Sequence, residues 1–279
     1  MDGRRRKFTL ALKGKFCYDK IQKIIPKGAY RNMKQHLDTI PVWDAYKLDC
    51  ECPVCAIFKK NEEDFVDTFL GASYMEPSRR EETNEKGFCH KHFKMMFDKG
   101  NRLGLALMTD TYMQETIKKL KANAEKAKEA AQGEAKKNVL MRVGRKNQDI
   151  QGCAAEVTEL TQRCSLCERI DGVMERYIYT LLYMWKHESE FRKVFAESKG
   201  MCMGHYAQTL GMAQELLSGK ELNDFVDVLT KLQIDNLERV EKDLEWFTLK
   251  ADYRNKDKPW GNSQDAVERS VNKMRGGAV

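Results

Sequence analysis

The chain has 279 residues, 42% of them hydrophobic and 33% charged, with a formal net charge of +7. It is long enough for one large domain or two ordinary ones with a sizeable core, so stability need not rest on cross-links. Abundant helix formers against only five prolines favour an all-α protein, and no run of about 18 apolar residues offers a transmembrane helix.

The positive charge is unevenly placed. Residues 1–50 carry +7 and residues 115–150 carry +5, leaving −5 for the rest. The basic excess therefore sits in an N-terminal arm and a mid-chain connector, where a solvated charge run is the simpler reading and a polyanion partner the alternative. The N-terminus, MDGRRRKFTLALKGKF, has a basic start but only a short apolar stretch and no signal-peptide core. The expected location is the cytoplasm. Nine cysteines in a reducing compartment point to metal ligation or thiol chemistry rather than a disulfide framework.

In chain order, residues 1–32 form a basic extension in which Phe8 to Phe16 is at most a weak strand. A first helical unit follows over 33–125. Ile57, Phe58, Phe65, Phe69 and Leu70 recur at helical spacing after Cys52-Pro-Val-Cys55, and Phe93, Met96 and Phe97 do so after Cys89-His-Lys-His92. A longer helix over Arg102 to Leu120 closes the unit, with Leu103, Leu107 and Ile117 on one side. The Lys/Ala-rich linker, 126–150, extends that helix into solvent and then becomes a connector. A second helical unit spans 151–249, with one helix after Cys164-Ser-Leu-Cys167, another after Cys202-Met-Gly-His205, and a long one over Glu221 to Phe247. The tail, 250–279, reads as a Pro259/Gly261 loop anchored by Trp260, then a short helix capped by Asn262 or Ser263.

The four pairs recur in order, offset by 112 residues at the Cys-x-x-Cys pairs and 113 at the Cys-x-x-His pairs. An internal repeat is the direct reading. It predicts two pseudo-symmetric helical repeats, each pinned by its own Cys3His site: Cys52, Cys55, Cys89 and His92 in one, Cys164, Cys167, Cys202 and His205 in the other. Three thiolates and a neutral imidazole suit tetrahedral Zn2+, giving two sites. An iron–sulfur centre fits less well with a histidine in each set, and a thioredoxin-like redox pair lacks its βαβ context. Pro53 suits a first helical position, and Gly87 and Gly200 allow a sharp turn before the later pairs. All four pairs then open helices, where the positive end of the helix dipole favours thiolate.

Residues outside the repeat receive plainer readings. Cys17 and Cys153 are taken as buried small hydrophobes, and Cys50 has no counterpart in the second unit. Met203 stands where His90 does, which selects His92; His36 and His187 are unrelated to the motifs. Glu62, Glu63, Glu168 and Asp171 read as solvated helix faces.

The phrases TIPVWDAY, CECPVC, EPSRREETNEKGFCHKHF, NRLGLALMTDTY and DYRNKDKPWGNSQDAVERSV resemble an uncharacterised bacterial family of unknown function, frequent in anaerobic Firmicutes. The resemblance covers Met33 to the C-terminus and implies a shared fold and metal binding, without a substrate. Four donors per set describe closed, structural sites, and no nucleophile–base pair, phosphate loop or His-Glu-x-x-His helix is present. The expectation is a non-catalytic scaffold or adaptor with a protein or small-molecule partner and no membrane role. The alternatives are a metal- or thiol-dependent enzyme with a substrate groove between the repeats and, third, a nucleic-acid binder acting through the basic arm and linker.

Overall fold

The apolar periodicity after each cysteine pair is realised as helix. In the structure, a computed structural model that describes residues 36–136 and 150–277, there are eleven α-helices and no strand among the described residues. The helices are α1 (His36–Tyr46), α2 (Pro53–Leu70), α3 (Pro77–Lys86), α4 (His90–Asp98), α5 (Arg102–Lys136) and α6 (Ile150–Gln162). They continue with α7 (Ser165–His187), α8 (Ser189–Glu197), α9 (Met203–Leu216), α10 (Gly219–Leu249) and α11 (Ala266–Arg275). Asp38–Val279 forms one compact unit. The Phe8 to Phe16 stretch, Cys17, the His36 side chain and linker residues 137–149 lie outside the described residues.

Helix α7 has a broad apolar face that widens to nearly the whole circumference from Tyr177 to Trp185, and burial follows. Leu166, Ile170, Met174, Ile178, Leu181, Leu182, Met184 and Trp185 are all buried, which makes α7 the axle of the core. It packs on α2, α8 and α9. The α2/α7 pair is antiparallel: Asn61, midway along α2, lies near Tyr177, midway along α7, while Arg169, near the start of α7, sits over the ring of Phe69, near the end of α2. Edge-on and stacked rings of Tyr46, Phe191, Phe195, Phe225 and Trp185 fill the end of the core near α8 and α10.

Several elements depart from the sequence reading. Helix α1 forms around an internal proline, Pro41. Helices α3 and α8 occupy the segments between the cysteine pairs, where no helix was expected, and α6 precedes Cys164. Helix α6 lies antiparallel along α5, with Asn123 Nδ2 donating to the Cys153 carbonyl and Tyr112 Oη to that of Leu160. The helix over Arg102 to Leu120 does continue into the Lys/Ala-rich linker, as far as Lys136, in keeping with the high helix propensity of its Ala/Lys/Glu sequence, but α6 covers one side of it. The tail helix starts after Asp265 rather than Asn262 or Ser263. Ser263 instead uses its hydroxyl on the Trp260 carbonyl in the preceding turn. Trp260 does hold the tail: it packs on Phe247 and lies under the Lys250 ammonium.

Candidate metal centres

Each cysteine pair opens a helix, as its sequence requires. Cys52, Cys89, Cys164 and Cys202 are the N-cap residues of α2, α4, α7 and α9, all with extended backbone. Pro53 takes the first position of α2, where no N–H needs a partner. Ser165 occupies the same position in α7 and does have an N–H, which donates to the Gly87 carbonyl at 3.0 Å. The sulfurs of Cys164 and Cys202 accept from the amides of Cys167 and His205, both at 3.5 Å, so an open amide in the first turn of α7 and of α9 faces sulfur.

The glycines ahead of the later pairs are fixed in the left-handed half of conformational space, Gly87 with φ 62° and Gly200 with φ 76°. A Cβ on Gly87 would stand 2.3 Å from the Tyr112 ring of α5, and one on Gly200 would stand 3.2 Å from Gln233 of α10. Gln233 also clamps the turn, accepting from the Met201 amide at 3.0 Å and donating to the Met201 carbonyl at 2.9 Å.

These four helix starts converge in two places, but not as the repeat reading paired them. Cys52 and Cys55 meet Cys202 and His205; Cys89 and His92 meet Cys164 and Cys167. Each cluster is shared between the two halves, so the expectation of one Cys3His set per repeat is corrected. The reason is the length and direction of α2. Its 18 residues carry the chain about 27 Å from Cys52, to the end of the α2/α7 pair where α7 begins. Helix α3 ends at that same place, with the Gly87 carbonyl accepting from the Ser165 amide, so α4 starts beside Cys164 rather than beside Cys52. Helix α7 makes the reverse journey and delivers α9 to the start of α2.

The donor geometry is nearly the same in both clusters. His205 Nδ1 lies 3.4, 3.3 and 3.3 Å from the sulfurs of Cys52, Cys55 and Cys202. His92 Nδ1 lies 3.3, 3.3 and 3.4 Å from those of Cys89, Cys164 and Cys167. Sulfur separations are 3.7 Å for Cys55–Cys202 and 3.8 Å for Cys89–Cys167. A regular tetrahedron with such edges has its centre about 2.3 Å from each corner, a metal–thiolate bond length. Each quartet could therefore hold one metal ion. In each quartet one thiol, Cys202 or Cys89, is held far below its ordinary range by bonds from its two cysteine neighbours, while Cys52, mainly by burial, and Cys167, mainly by its bonds to Cys164 and Cys89, are pushed up. Burial opposes charge on the two imidazoles, yet the surrounding sulfurs raise His205 to about 9 and His92 to about 11.

The surroundings differ. Glu62, expected on a solvated face, is buried and takes a hydrogen bond from His92 Nε2 at 3.1 Å while the Lys91 ammonium sits 2.6 Å from the same oxygen. Burial works against its charge, but His92 and Lys91 outweigh burial and hold its pKa below the ordinary value. A signal was present in sequence: Glu62 lies seven residues after Cys55 and four before Val66, on the apolar stripe of α2. Its counterpart seven residues after Cys167 is Met174, which is buried.

Helix α11 supplies the other cluster's neighbours. Lys273 is 1% exposed, and its ammonium donates to the Glu51 carbonyl at 2.8 Å and to the Lys199 carbonyl, and pairs with the Glu51 carboxylate at 3.2 Å. Arg239 binds that carboxylate at 2.6 Å. Gly276 lies over the sulfurs: a Cβ there would stand 3.1 Å from Cys202 Sγ and 3.3 Å from Cys55 Sγ. Cys153 is buried away from both clusters, as expected. Cys50 is half-buried beside a 240 Å³ cleft, and His90 and His187 are exposed.

Comparison with known proteins agrees with the resemblance seen in the residues. The Family of unknown function (DUF6062) matches residues 33–279. A curated relative, described as an uncharacterized 23.9 kDa protein in the xynA 3′ region of Caldicellulosiruptor sp. (strain Rt8B.4), is 22% identical over 204 residues, covering 73% of this chain and 84% of the relative. No solved structure matches the chain.

Proposed function

The chain belongs to this family of unknown function, and we propose that it is a zinc-binding helical protein, a non-catalytic scaffold or adaptor whose two metal sites clasp its halves together. The observation that carries this reading is the crossed quartet: each cluster takes two donors from each half, at tetrahedral spacing. Three thiolates and one imidazole suit Zn2+, and four protein donors leave no open position for a reacting water. The ion would supply the cohesion that a short helix end cannot, because ligands recruited from distant segments couple metal binding to folding. The eight residues act as ligands; Glu62 orients His92 through its far nitrogen, and Lys273 offsets the net negative charge at the other site. Thiolate coordination suits a reducing compartment such as the cytoplasm, and no helix among the described residues is long and apolar enough to cross a membrane.

Elemental analysis of anaerobically purified chain, with X-ray absorption at the metal edge, tests the proposal. Two zinc ions per chain, each with three sulfur and one nitrogen neighbour, are expected. Fewer than one ion per chain would sink the reading, and a resident water ligand at either ion would favour the metal-dependent enzyme.

A further inference from the structure

Two donor sets of the same chemistry are covered to different degrees. At the α2/α9 cluster Cys52 and Cys202 are 2% exposed, His205 8% and Cys55 9%, with the backbone of Gly276 lying over Cys55 and Cys202. Lys273 fastens that cover from inside, since its ammonium reaches carbonyls just before Cys52 and just before the Gly200 turn. At the α4/α7 cluster Cys164 and His92 are buried, but Cys89 and Cys167 both keep solvent-facing surface. Among the described residues no counterpart of α11 lies over them. Their sulfurs are 3.8 Å apart and belong to different halves of the chain.

We propose that Cys89 and Cys167 form an oxidative modification site for hydroperoxides, and that α11 with its glycine end protects the other cluster from the same chemistry. The inference rests on the zinc-clasp reading. Two electrons pass from the Cys89 and Cys167 thiolates to the O–O bond of hydrogen peroxide. The S–S bond forms as the O–O bond breaks, and two protons from solvent complete two waters. The ion, left with Cys164 and His92, departs. Closing 3.8 Å to a disulfide of about 2.05 Å asks each sulfur to move by about 1 Å. The product replaces a metal clasp between α4 and α7 with a covalent one, so oxidation releases an ion without separating the halves.

The test uses the intact, metal-loaded chain. Hydrogen peroxide is added in steps, released zinc is read with a chromogenic chelator, and cysteines are mapped by mass spectrometry. One of the two ions should leave together with a Cys89–Cys167 disulfide, while Cys55 and Cys202 stay reduced. Joint release of both ions, or oxidation of Cys55 or Cys202 first, would overturn the inference. Pulse alkylation supplies an arm that needs neither metal nor variant: Cys89 and Cys167 should be modified about tenfold faster than Cys55 and Cys202, and equal rates would equally overturn it. A chain purified without metal would defeat the zinc-clasp reading while leaving the alkylation comparison intact, so the two failures are distinguishable.

Discussion

The two clusters pose the same electrostatic problem and meet it differently. With a divalent ion bound, three thiolates and an imidazole would leave one net negative charge in a largely buried place. At the start of α2 that charge is met by the ammonium of Lys273 and by sealing against water. At the start of α7 the cluster lies closer to solvent, and its histidine is tied through Glu62 to Lys91. Ligands of identical type thus acquire different accessibility from their neighbours. The unlike element, α11, comes after the repeated phrases and has no counterpart in the first half among the described residues.

The largest effect separates crossed from within-repeat pairing. Combining Cys55→Ser with His205→Ala damages one cluster and should leave one zinc per chain. Combining Cys55→Ser with His92→Ala damages both and should leave none, with stability falling by about 5 kcal/mol or more. Metal content and thermal melting of the two double variants decide the pairing, and the reverse order would restore the sequence-based assignment.

Lys273→Met should act on the α2/α9 cluster alone. It removes a buried ammonium and leaves the buried Glu51 carboxylate with Arg239 as its remaining ion-pair partner, at a cost of about 3 kcal/mol, and should speed metal loss from one site of two in a chelator competition. Glu62→Gln should act on the α4/α7 cluster alone, lowering its metal affinity by about tenfold to a hundredfold with the other ion held as before. An equal response of both ions to either substitution would show that the surroundings do not distinguish the sites.

The smallest effect is a pH dependence near α7. Burial, then Glu175 and Glu168, raise Asp171 from 3.8 to about 6. A carboxyl raised in the folded state binds its proton more tightly there, so its penalty is absent below the ordinary pKa and grows as pH rises to about 6. Asp171→Asn should stabilise the chain by about 1 kcal/mol above about pH 7 after solvent screening, and by nothing near pH 4. Denaturant midpoints at the two pH values would check the sign.

Much of this architecture was legible in the residues. Pro53, Gly87 and Gly200 marked helix starts and turns, and the apolar spacing after each pair marked α2, α4, α7 and α9. Helices α3 and α8 escaped notice because PSRREETNEK and SEFRKVFAE are short and polar on most positions; α3 is held to α5 and α7 by polar contacts of Arg80, Asn84 and Glu82, and the two phenylalanines of α8 gain meaning only in the core. Glu62 was misread because one carboxylate on an apolar stripe resembles an accident until a buried His92 is found beside it. Lys273 is harder still: nothing in VERSVNKMRGG marks one lysine for burial.

The sequence by itself determined the donors, their number, their place at helix N-termini and the predominance of helix, because local spacing and backbone chemistry suffice for each. Only the tertiary structure decided which pairs share a cluster. The Cys-x-x-Cys pairs are chemically equivalent, as are the Cys-x-x-His pairs, so within-half and crossed assignments cannot be told apart by motif. What separates them is distance: α2 and α7 lie antiparallel, and each carries its half of the chain to the other's first turn.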